Sequence, residues 1–335
     1  MGELLQVTNR GLYCPDGDFY VDPWRAVDKA VITHAHSDHA RPGMKQYLCA
    51  RECESVLRLR VGEKARIGPV AYGECIFMNG IRVSLHPAGH ILGSAQVRIE
   101  RAGEVAVVSG DYKTEPDRTC APFEPIKCNT FITESTFGLP VYRWPKESDV
   151  FGEINRWWQS NQKSGKATVL LGYSLGKSQR VLSGLDSEIG PIFVHPALQP
   201  YTEAYRAEGV SLPPTMDLID VPTDFDWSKA AILAPPGASG TAWMAGVGPY
   251  ATAYLSGWMA TRNMRRSRAV DKAFVLSDHV DWPSLICAVA ETGAERVFVT
   301  HGFSSVVVRC LREQGLDARV LPTGWEGDPE EAAAP

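Results

Sequence analysis

Lys29-Ala30-Val31-Ile32-Thr33 runs straight into His34-Ala35-His36-Ser37-Asp38-His39, and this stretch decides the fold. The first five residues read as a buried strand, an apolar run with β-branched residues. Three imidazoles and a carboxylate then follow within six residues, in a chain with only eight histidines among 335 residues. Such a strand delivers its polar loop at one edge of a sheet, where side chains at i, i+2, i+4 and i+5 can turn towards a common point. Nitrogen and oxygen donors of this kind suit zinc or manganese. The competing reading is a solvated loop, or one histidine capping the next helix; a cluster this dense directly behind a buried strand argues against it.

Working outward, three more donors stand at strand ends beside glycines that permit close backbone approach. They are His90 in Ala88-Gly89-His90-Ile91-Leu92-Gly93-Ser94, Asp111 in Ser109-Gly110-Asp111-Tyr112, and His301 in Val299-Thr300-His301-Gly302. A lone histidine after a strand is more often a satisfied core residue, but three such groups together point to ligation. Five histidines and two aspartates (His34, His36, Asp38, His39, His90, Asp111 and His301) exceed what one tetrahedral ion takes. They would fill two adjacent ions bridged by a carboxylate and a water. Such a pair generates hydroxide at neutral pH and stabilises both oxygens of an in-line displacement.

Around these donors the first half alternates short apolar strands with turns. Ile81–His86 and Thr130–Thr133 read as strands, and Gln96–Glu100 with Glu104–Ser109 as a hairpin across Arg101-Ala102-Gly103. From about Glu147 the texture changes. A helical period covers Glu147–Ser164, followed by strand-like Ala167–Leu171, Pro191–Val194 and Ala230–Ala234, with helices and the proline-rich Leu212–Pro222 between them. After Lys272 the chain reads as strand Ala273–Ser277, helix Asp281–Thr292, strand Arg296–Thr300 and helix Ser304–Gln314. The middle therefore reads as an insertion between two parts of one larger α/β domain.

Composition narrows the setting. At 44% hydrophobic and 22% charged residues the chain is that of a globular protein with ample core. It has no apolar run long enough to span a membrane and no secretion signal, so a cytoplasmic protein without a membrane partner is expected. The eight cysteines form no C-x-x-C pair and read as reduced thiols, although Cys49 and Cys53 are spaced to face each other along a helix. A net charge of −5 argues against a broad positive field for duplex DNA, but not against a basic groove. The densest basic run is Arg262-Asn263-Met264-Arg265-Arg266-Ser267-Arg268, with Lys272 following; it reads equally as a solvated face or as a functional surface.

The His-x-His-x-Asp-His motif with later single His, Asp and His donors resembles the metallo-β-lactamase superfamily. Glu134-Ser135-Thr136-Phe137-Gly138, Ser277-Asp278-His279-Val280-Asp281 and Thr300-His301-Gly302 are similar, in order, to the further motifs of its β-CASP nucleases. The resemblance runs from about Asp22 to Gly324 and is nearest to the bacterial ligase-associated DNA exonucleases, also described as mRNA 3′-end processing factors. It implies an α/β fold, a metallo-β-lactamase αββα sandwich with an inserted β-CASP cap domain. Residues 1–142 and 263–326 would form the sandwich, 143–262 the cap, and 327–335 a disordered tail.

The resemblance also assigns roles. His34, His36 and His90 would hold one divalent ion, Asp38, His39 and His301 the other, Asp111 would bridge, and Asp22 would orient the metal loop. Asp38, His279 and Glu134 would be catalytic. His279 would protonate the leaving oxygen or stabilise its charge, and Glu134 would orient His279 or a metal-loop histidine. Ser174, Lys177 and Arg180, in Gly172–Arg180, and Ser239 and Gly240, in Pro236–Gly240, would contact substrate. Both segments read equally as tight strand-to-helix turns. Trp144, Trp157, Trp158, Trp243 and Trp258 can stack bases, but most read as packing.

The implied function is a zinc- or manganese-dependent hydrolase, an exonuclease on single-stranded or end-exposed DNA acting in repair through a hydroxide bridging two metals. The alternatives are an RNA-processing nuclease with the same site, which His301 favours, and an inactive nucleic-acid-binding scaffold subunit. The scaffold reading conflicts with the full set of ligands. A DNA ligase or helicase partner is implied by the resemblance alone.

Overall fold

The computed structural model describes residues 4–218, 221–222 and 224–324, so the expected tail at 327–335 lies outside the described residues. The chain divides into two units: one comprises the residues up to Tyr142 together with those from His279 onward, and the other is Arg143–Asp278. The cap was expected to end at 262; instead the middle unit continues to Asp278, because Lys272–Phe274 pairs within its sheet.

The first unit opens with six short strands: β1 (Gln6–Val7), β2 (Leu12–Cys14), β3 (Phe19–Val21), β4 (Lys29–Val31), β5 (Gln46–Ala50) and β6 (Ile67–Val70). They form one sheet in chain order, antiparallel as far as β3 and parallel from β3 to β6. Helix α1 (Glu54–Val61) lies between the last two. Next come β7 (Cys75–Met78), β8 (Ile81–Pro87), β9 (Ala95–Arg101), β10 (Glu104–Val108) and β11 (Thr130–Glu134). The expected hairpin is β9–β10. Ala102 and Gly103 both take positive φ, 49° and 85°, as the tight turn that matches strand twist requires.

In the middle unit, α2 (Glu147–Lys163) leads to β12 (Ala167–Leu171), α3 (Lys177–Ser183), β13 (Ile192–Val194), α4 (Gln199–Ala207), β14 (Met216–Asp217), β15 (Ala231–Ala234), β16 (Tyr250–Leu255), α5 (Arg262–Ser267) and β17 (Lys272–Phe274). All six strands pair in parallel, in the order β14-β13-β15-β12-β16-β17. A parallel sheet is buried on both faces away from its edges, so, whereas the edge strands β14 and β17 carry Asp217 and Lys272, the inner strands are rich in apolar residues. Alternation sorts them: Leu170, Leu233 and Leu255 pack against Ile154, Trp158 and Val181, whereas Val169, Ile232 and Tyr254 pack with Met244, Val247 and Met259.

The chain then returns to the first unit with α6 (Trp282–Thr292), β18 (Arg296–Thr300), α7 (Ser304–Glu313) and β19 (Asp317–Val320). Strands β18 and β19 complete a second sheet of the first unit, ordered β19-β18-β11-β10-β9-β8-β7. Helices α6 and α7 cover it with Leu285, Val289, Val307 and Leu311 against Val107, Phe131, Val297 and Val299. Asp281 caps α6 by accepting from Ser284 N at 3.0 Å, and Gly293 ends it at φ 66°. The strands on either side of the insertion join directly, β11 pairing with β18 from Thr130↔Arg296 to Glu134↔Thr300. Trp282 N donates to Tyr142 O at 3.1 Å, so the chain's exit from this unit and its return are side by side. Among the described residues no helix is long and apolar enough to cross a membrane.

Candidate metal centre

Every expected metal donor lies in the first unit, at the end of a strand or in the loop behind it. Strand β4 continues through Ile32 N→Leu48 O at 2.8 Å and ends where Ala95 N donates to Thr33 O at 2.7 Å. Behind it the His34–His39 loop turns on His36 O, which accepts from His39 N at 3.2 Å and Ala40 N at 2.8 Å. His90 follows β8. A side chain at Gly89 would come 2.2 Å from Lys113 O, so only glycine lets these segments touch. Asp111 follows β10 through Gly110, where a Cβ would come 2.6 Å from that of Thr33. His301 follows β18 with φ 61°, a left-handed conformation that costs a non-glycine residue about 1 kcal/mol or more. Ser135 holds it there by donating to the Thr300 and His301 carbonyls, and Ser304 Oγ donates to His301 O at 2.6 Å.

These elements bring the donors together in two adjacent groups. His34, His36, His90 and Asp111 offer ligand atoms within 4.8 Å of one another, and so do Asp38, His39 and His301. His90 Nε2 and His36 Nδ1 are 3.1 Å apart, and Asp111 Oδ2 lies 3.4 Å from His34 Nε2 and 3.6 Å from His39 Nε2. Asp38 Oδ2 is 3.4 Å from His39 Nε2 and 3.8 Å from His301 Nε2. Donors about 2.0–2.2 Å from a shared tetrahedral ion stand roughly 3.3–3.6 Å apart, so the spacing fits metal ligation. Two buried atoms support the fit: His34 Nε2 and Asp111 Oδ1 have no hydrogen-bond partner, a costly arrangement in a core unless something else binds them.

The outward nitrogens are fixed from behind. Asp22, fully buried at φ 42°, accepts from Thr33 N at 2.8 Å, Thr33 Oγ1 at 2.6 Å and His39 Nδ1 at 2.7 Å. With its proton given to Asp22, Thr33 Oγ1 accepts from His34 Nδ1 at 3.0 Å. One carboxylate thereby sets the tautomers of both His34 and His39, leaving each Nε2 lone pair for the shared point. Sequence reasoning missed Thr33 and Ser135 as members of this assembly. Their only signal was adjacency, one before His34 and the other within the Glu134-Ser135-Thr136 motif.

His279 stands beside the cluster, its ring 4.7 Å from that of His90. Its Nδ1 meets Glu134 Oε2 at 2.9 Å, and Tyr112 N donates to Glu134 Oε1 at 2.9 Å. Asp111, Glu134 and His279 also bring ligand atoms within 4.8 Å of one another. Electrostatics separates these groups. Burial and the neighbouring His39 and His90 keep the His34 imidazole well below its usual range, in the neutral form that can ligate. Burial opposes charge on His39 as well, but with no ion bound the Asp38, Asp111 and Asp22 carboxylates outweigh it and push its pKa up to about 10, so a metal ion must displace the Nε2 proton to use that lone pair. Burial raises the Asp111 carboxyl. Glu134 and Asp38 sit below the usual carboxylate range despite burial, held there by His279 and by His39 respectively.

The expected substrate contacts fare differently, and all five belong to the middle unit. Lys177 and Arg180 are buried, at 1% and 3% exposure, where contact with a nucleic-acid strand requires exposed cations. Lys177 Nζ pairs with Asp278 Oδ2 at 2.6 Å; Arg180 pairs with Asp278 Oδ1 at 3.0 Å and also binds Glu147 and the Ser277 carbonyl. Their charge is spent inside the unit, and their work is to hold the segment leading to Asp278. Ser174 is half-buried, its carbonyl accepting from Gln179 Nε2 at 3.1 Å. Ser239 and Gly240 are exposed in the loop after β15, with Gly240 at φ 72°.

No family model matches the chain. It is 30% identical over 315 residues to a probable DNA ligase of Opitutus terrae, a match covering 92% of this chain and 30% of that protein. It is 34% identical over 125 residues to Endoribonuclease YSH1 of Saccharomyces cerevisiae, covering 36% of this chain and 16% of the yeast protein. The cleavage and polyadenylation specificity factor subunit 3 of Dictyostelium discoideum is 33% identical over 125 residues, again 36% of this chain and 16% of that protein. The chain thus spans under a third of the length of these relatives. In three dimensions it shares a fold with a protein of unknown function from Enterococcus faecalis V583, at TM-score 0.59 and 12% identity, covering 89% of this chain and 80% of that one. Motifs, relatives and the histidine and aspartate clusters agree: each is consistent with a β-CASP family of the metallo-β-lactamase superfamily.

Proposed function

We propose that the chain is a metal-dependent nuclease that hydrolyses phosphodiester bonds of DNA, an exonuclease on single-stranded or end-exposed strands. The observation that carries this reading is the convergence of seven nitrogen and oxygen donors at 3.1–3.9 Å spacing, backed by the Asp22 relay. In this reading the first unit is a metallo-β-lactamase sandwich and the middle unit its β-CASP cap. His34, His36 and His90 would hold one ion and Asp38, His39 and His301 the other, with Asp111 between them; zinc and manganese both suit the set. Two such ions, when bound, supply Lewis acidity towards the phosphate and activate water.

The remaining work falls to side chains. Glu134 accepts a hydrogen bond from His279 Nδ1–H at 2.9 Å, which fixes the ring; in its imidazolium form His279 then gives the Nε2 proton to the departing oxygen and is left neutral, with its proton on Nδ1. Tyr112 N keeps Glu134 turned to that task. Asp22 and Thr33 hold His34 and His39 in the tautomers that ligate. DNA is favoured by the match to a probable DNA ligase over 92% of this chain. A second reading, RNA cleavage by the same residues, is favoured by the relatives described as endoribonucleases.

The test is cleavage of end-labelled single-stranded DNA and matched RNA by protein stripped of metal and reloaded with Zn²⁺ or Mn²⁺, with His36→Ala and His279→Ala beside it. Stepwise, metal-dependent shortening of DNA that is lost in His36→Ala and slowed about 10²–10⁴-fold in His279→Ala supports the proposal. Cleavage of RNA alone moves the substrate assignment. Metal binding with neither strand cleaved overturns the nuclease and leaves a nucleic-acid-binding scaffold.

A further inference from the structure

The middle unit carries a charged surface that the proposed chemistry does not use. In α5 the side chains of Arg262, Arg265 and Arg266 are exposed and share one face at i, i+3 and i+4 spacing. Among the described residues none of the three has a carboxylate partner; Arg265 donates through Nε to the Met259 carbonyl, a neutral acceptor that leaves its charge unbalanced. The neighbouring cations are committed: the Arg268 guanidinium lies 4.4 Å over the Tyr254 ring, and Lys272 pairs with Glu153 at 2.7 Å. Asp271, the one carboxylate between 262 and 272, accepts from Thr252 N at 2.8 Å.

This arrangement costs the isolated fold. Like charges at i and i+4 repel along a helix. Arg262 also opens α5 at the end where the backbone already presents positive charge. In a chain of net charge −5, three adjacent cations without carboxylates form a local reversal of sign. An external polyanion relieves both penalties at once, and closely spaced arginines match successive phosphates.

We propose that the Arg262, Arg265 and Arg266 face of α5 is a sequence-independent handle for the phosphate backbone of a single nucleic-acid strand. The inference rests on the nuclease reading, since it takes the substrate to be nucleic acid. Binding comes from displaced counterions, so salt dependence reports it directly.

The experiment measures fluorescence anisotropy of a phosphorothioate single strand, which resists cleavage, against the full-length protein over a series of salt concentrations. Arg262→Ala/Arg265→Ala/Arg266→Ala is compared with Arg156→Ala/Lys163→Ala/Lys166→Ala, which removes the same charge from exposed positions on α2 and in the turn just after it. About 0.7 of slope in log K against log salt belongs to each phosphate contact on a single strand, so the α5 variant should lose about 2 while the α2 variant keeps the parent slope. Equal losses in both variants would mean that net charge alone is at work and would overturn the handle, as would an unchanged slope in the α5 variant. An α5 variant that instead loses pull-down of an acidic protein, with its slope intact, marks a protein-docking face. Cleavage of the same sequence with an ordinary backbone is followed in parallel. Cleavage with an unchanged slope sinks the handle alone, and no metal-dependent cleavage sinks the nuclease reading.

Discussion

Replacing Asp22 by Asn keeps the shape of a fully buried side chain and reverses two of the three hydrogen bonds it accepts from Thr33 and His39. One oxygen can still accept from Thr33 N, but an NH₂ group now meets the Thr33 hydroxyl and His39 Nδ1, both of which donate to Asp22. Threonine can rotate its proton away. The imidazole can avoid the clash only by moving its proton to Nε2, which removes the lone pair the metal needs. Losing one charge-assisted bond of this kind costs about 1.5–3 kcal/mol. Independently, removing an outer partner of a ligating histidine weakens metal binding about 10–100-fold, or roughly 1.4–2.7 kcal/mol. The two routes agree. At a saturating metal concentration the stabilisation by metal falls by that amount, and at about 2–4 °C per kcal/mol for a domain of this size the metal-induced rise in Tm shrinks by about 3–11 °C. Thermal melts of both proteins, with and without Zn²⁺, read this out, the zinc-free pair correcting for any general loss of stability. If Asp22→Asn gains as much from zinc as the parent, the relay through Asp22 does not set the ligand tautomers and the argument fails.

Three further outcomes are expected. Gly93→Ala should cost about 2–6 kcal/mol by chemical denaturation, because the added Cβ would fall 2.2 Å from Cys53 N at a residue with φ 71°; a loss under 1 kcal/mol would contradict the packing there. Ile232→Ala, fully buried in β15 of the middle unit, should cost about 2–5 kcal/mol, visible as an earlier tryptophan fluorescence transition. Iodoacetamide followed by mass spectrometry should label exposed Cys75 and Cys287 in the native protein and reach Cys14, Cys49 and Cys53 only after unfolding. Cys49 is doubly protected, since its contact with Cys53 and its burial both raise its thiol well above the usual range.

The donors were legible because metal chemistry restricts residue types and a buried strand restricts where they emerge: His34 to His39, His90, Asp111 and His301 all converge. Regular local patterns were legible too, above all the β9–β10 hairpin and helices α2, α6 and α7. What escaped was decided by distant partners. Nothing local in Gly172–Arg180 says that Lys177 and Arg180 will be buried on Asp278, about a hundred residues on. Strand β16, Tyr250–Leu255, mixes alanines with larger residues over six positions and shows its character only between β12 and β17. For the same reason the return to the first unit was expected too early, since β17 belongs to whichever sheet offers its edge. Thr33 and Ser135 were invisible as participants because hydroxyl residues are common near turns, and only geometry distinguishes the two that hold a histidine or its backbone.

The hydrogen bond from Trp282 N to Tyr142 O bears on the order in which the molecule can be made. Closing the first unit around an unfolded insertion of this length would cost about 4 kcal/mol of chain entropy. An insertion that has already folded, with its ends held next to each other, presents only a short gap. The middle unit is continuous in sequence and emerges from the ribosome before His279 and His301 exist. The last two imidazoles therefore join a site whose other residues have waited through the birth of an entire neighbour. A chain interrupted before position 279 carries the His34–His39 loop without His279 and His301, so the proposed centre is incomplete in every shorter nascent fragment.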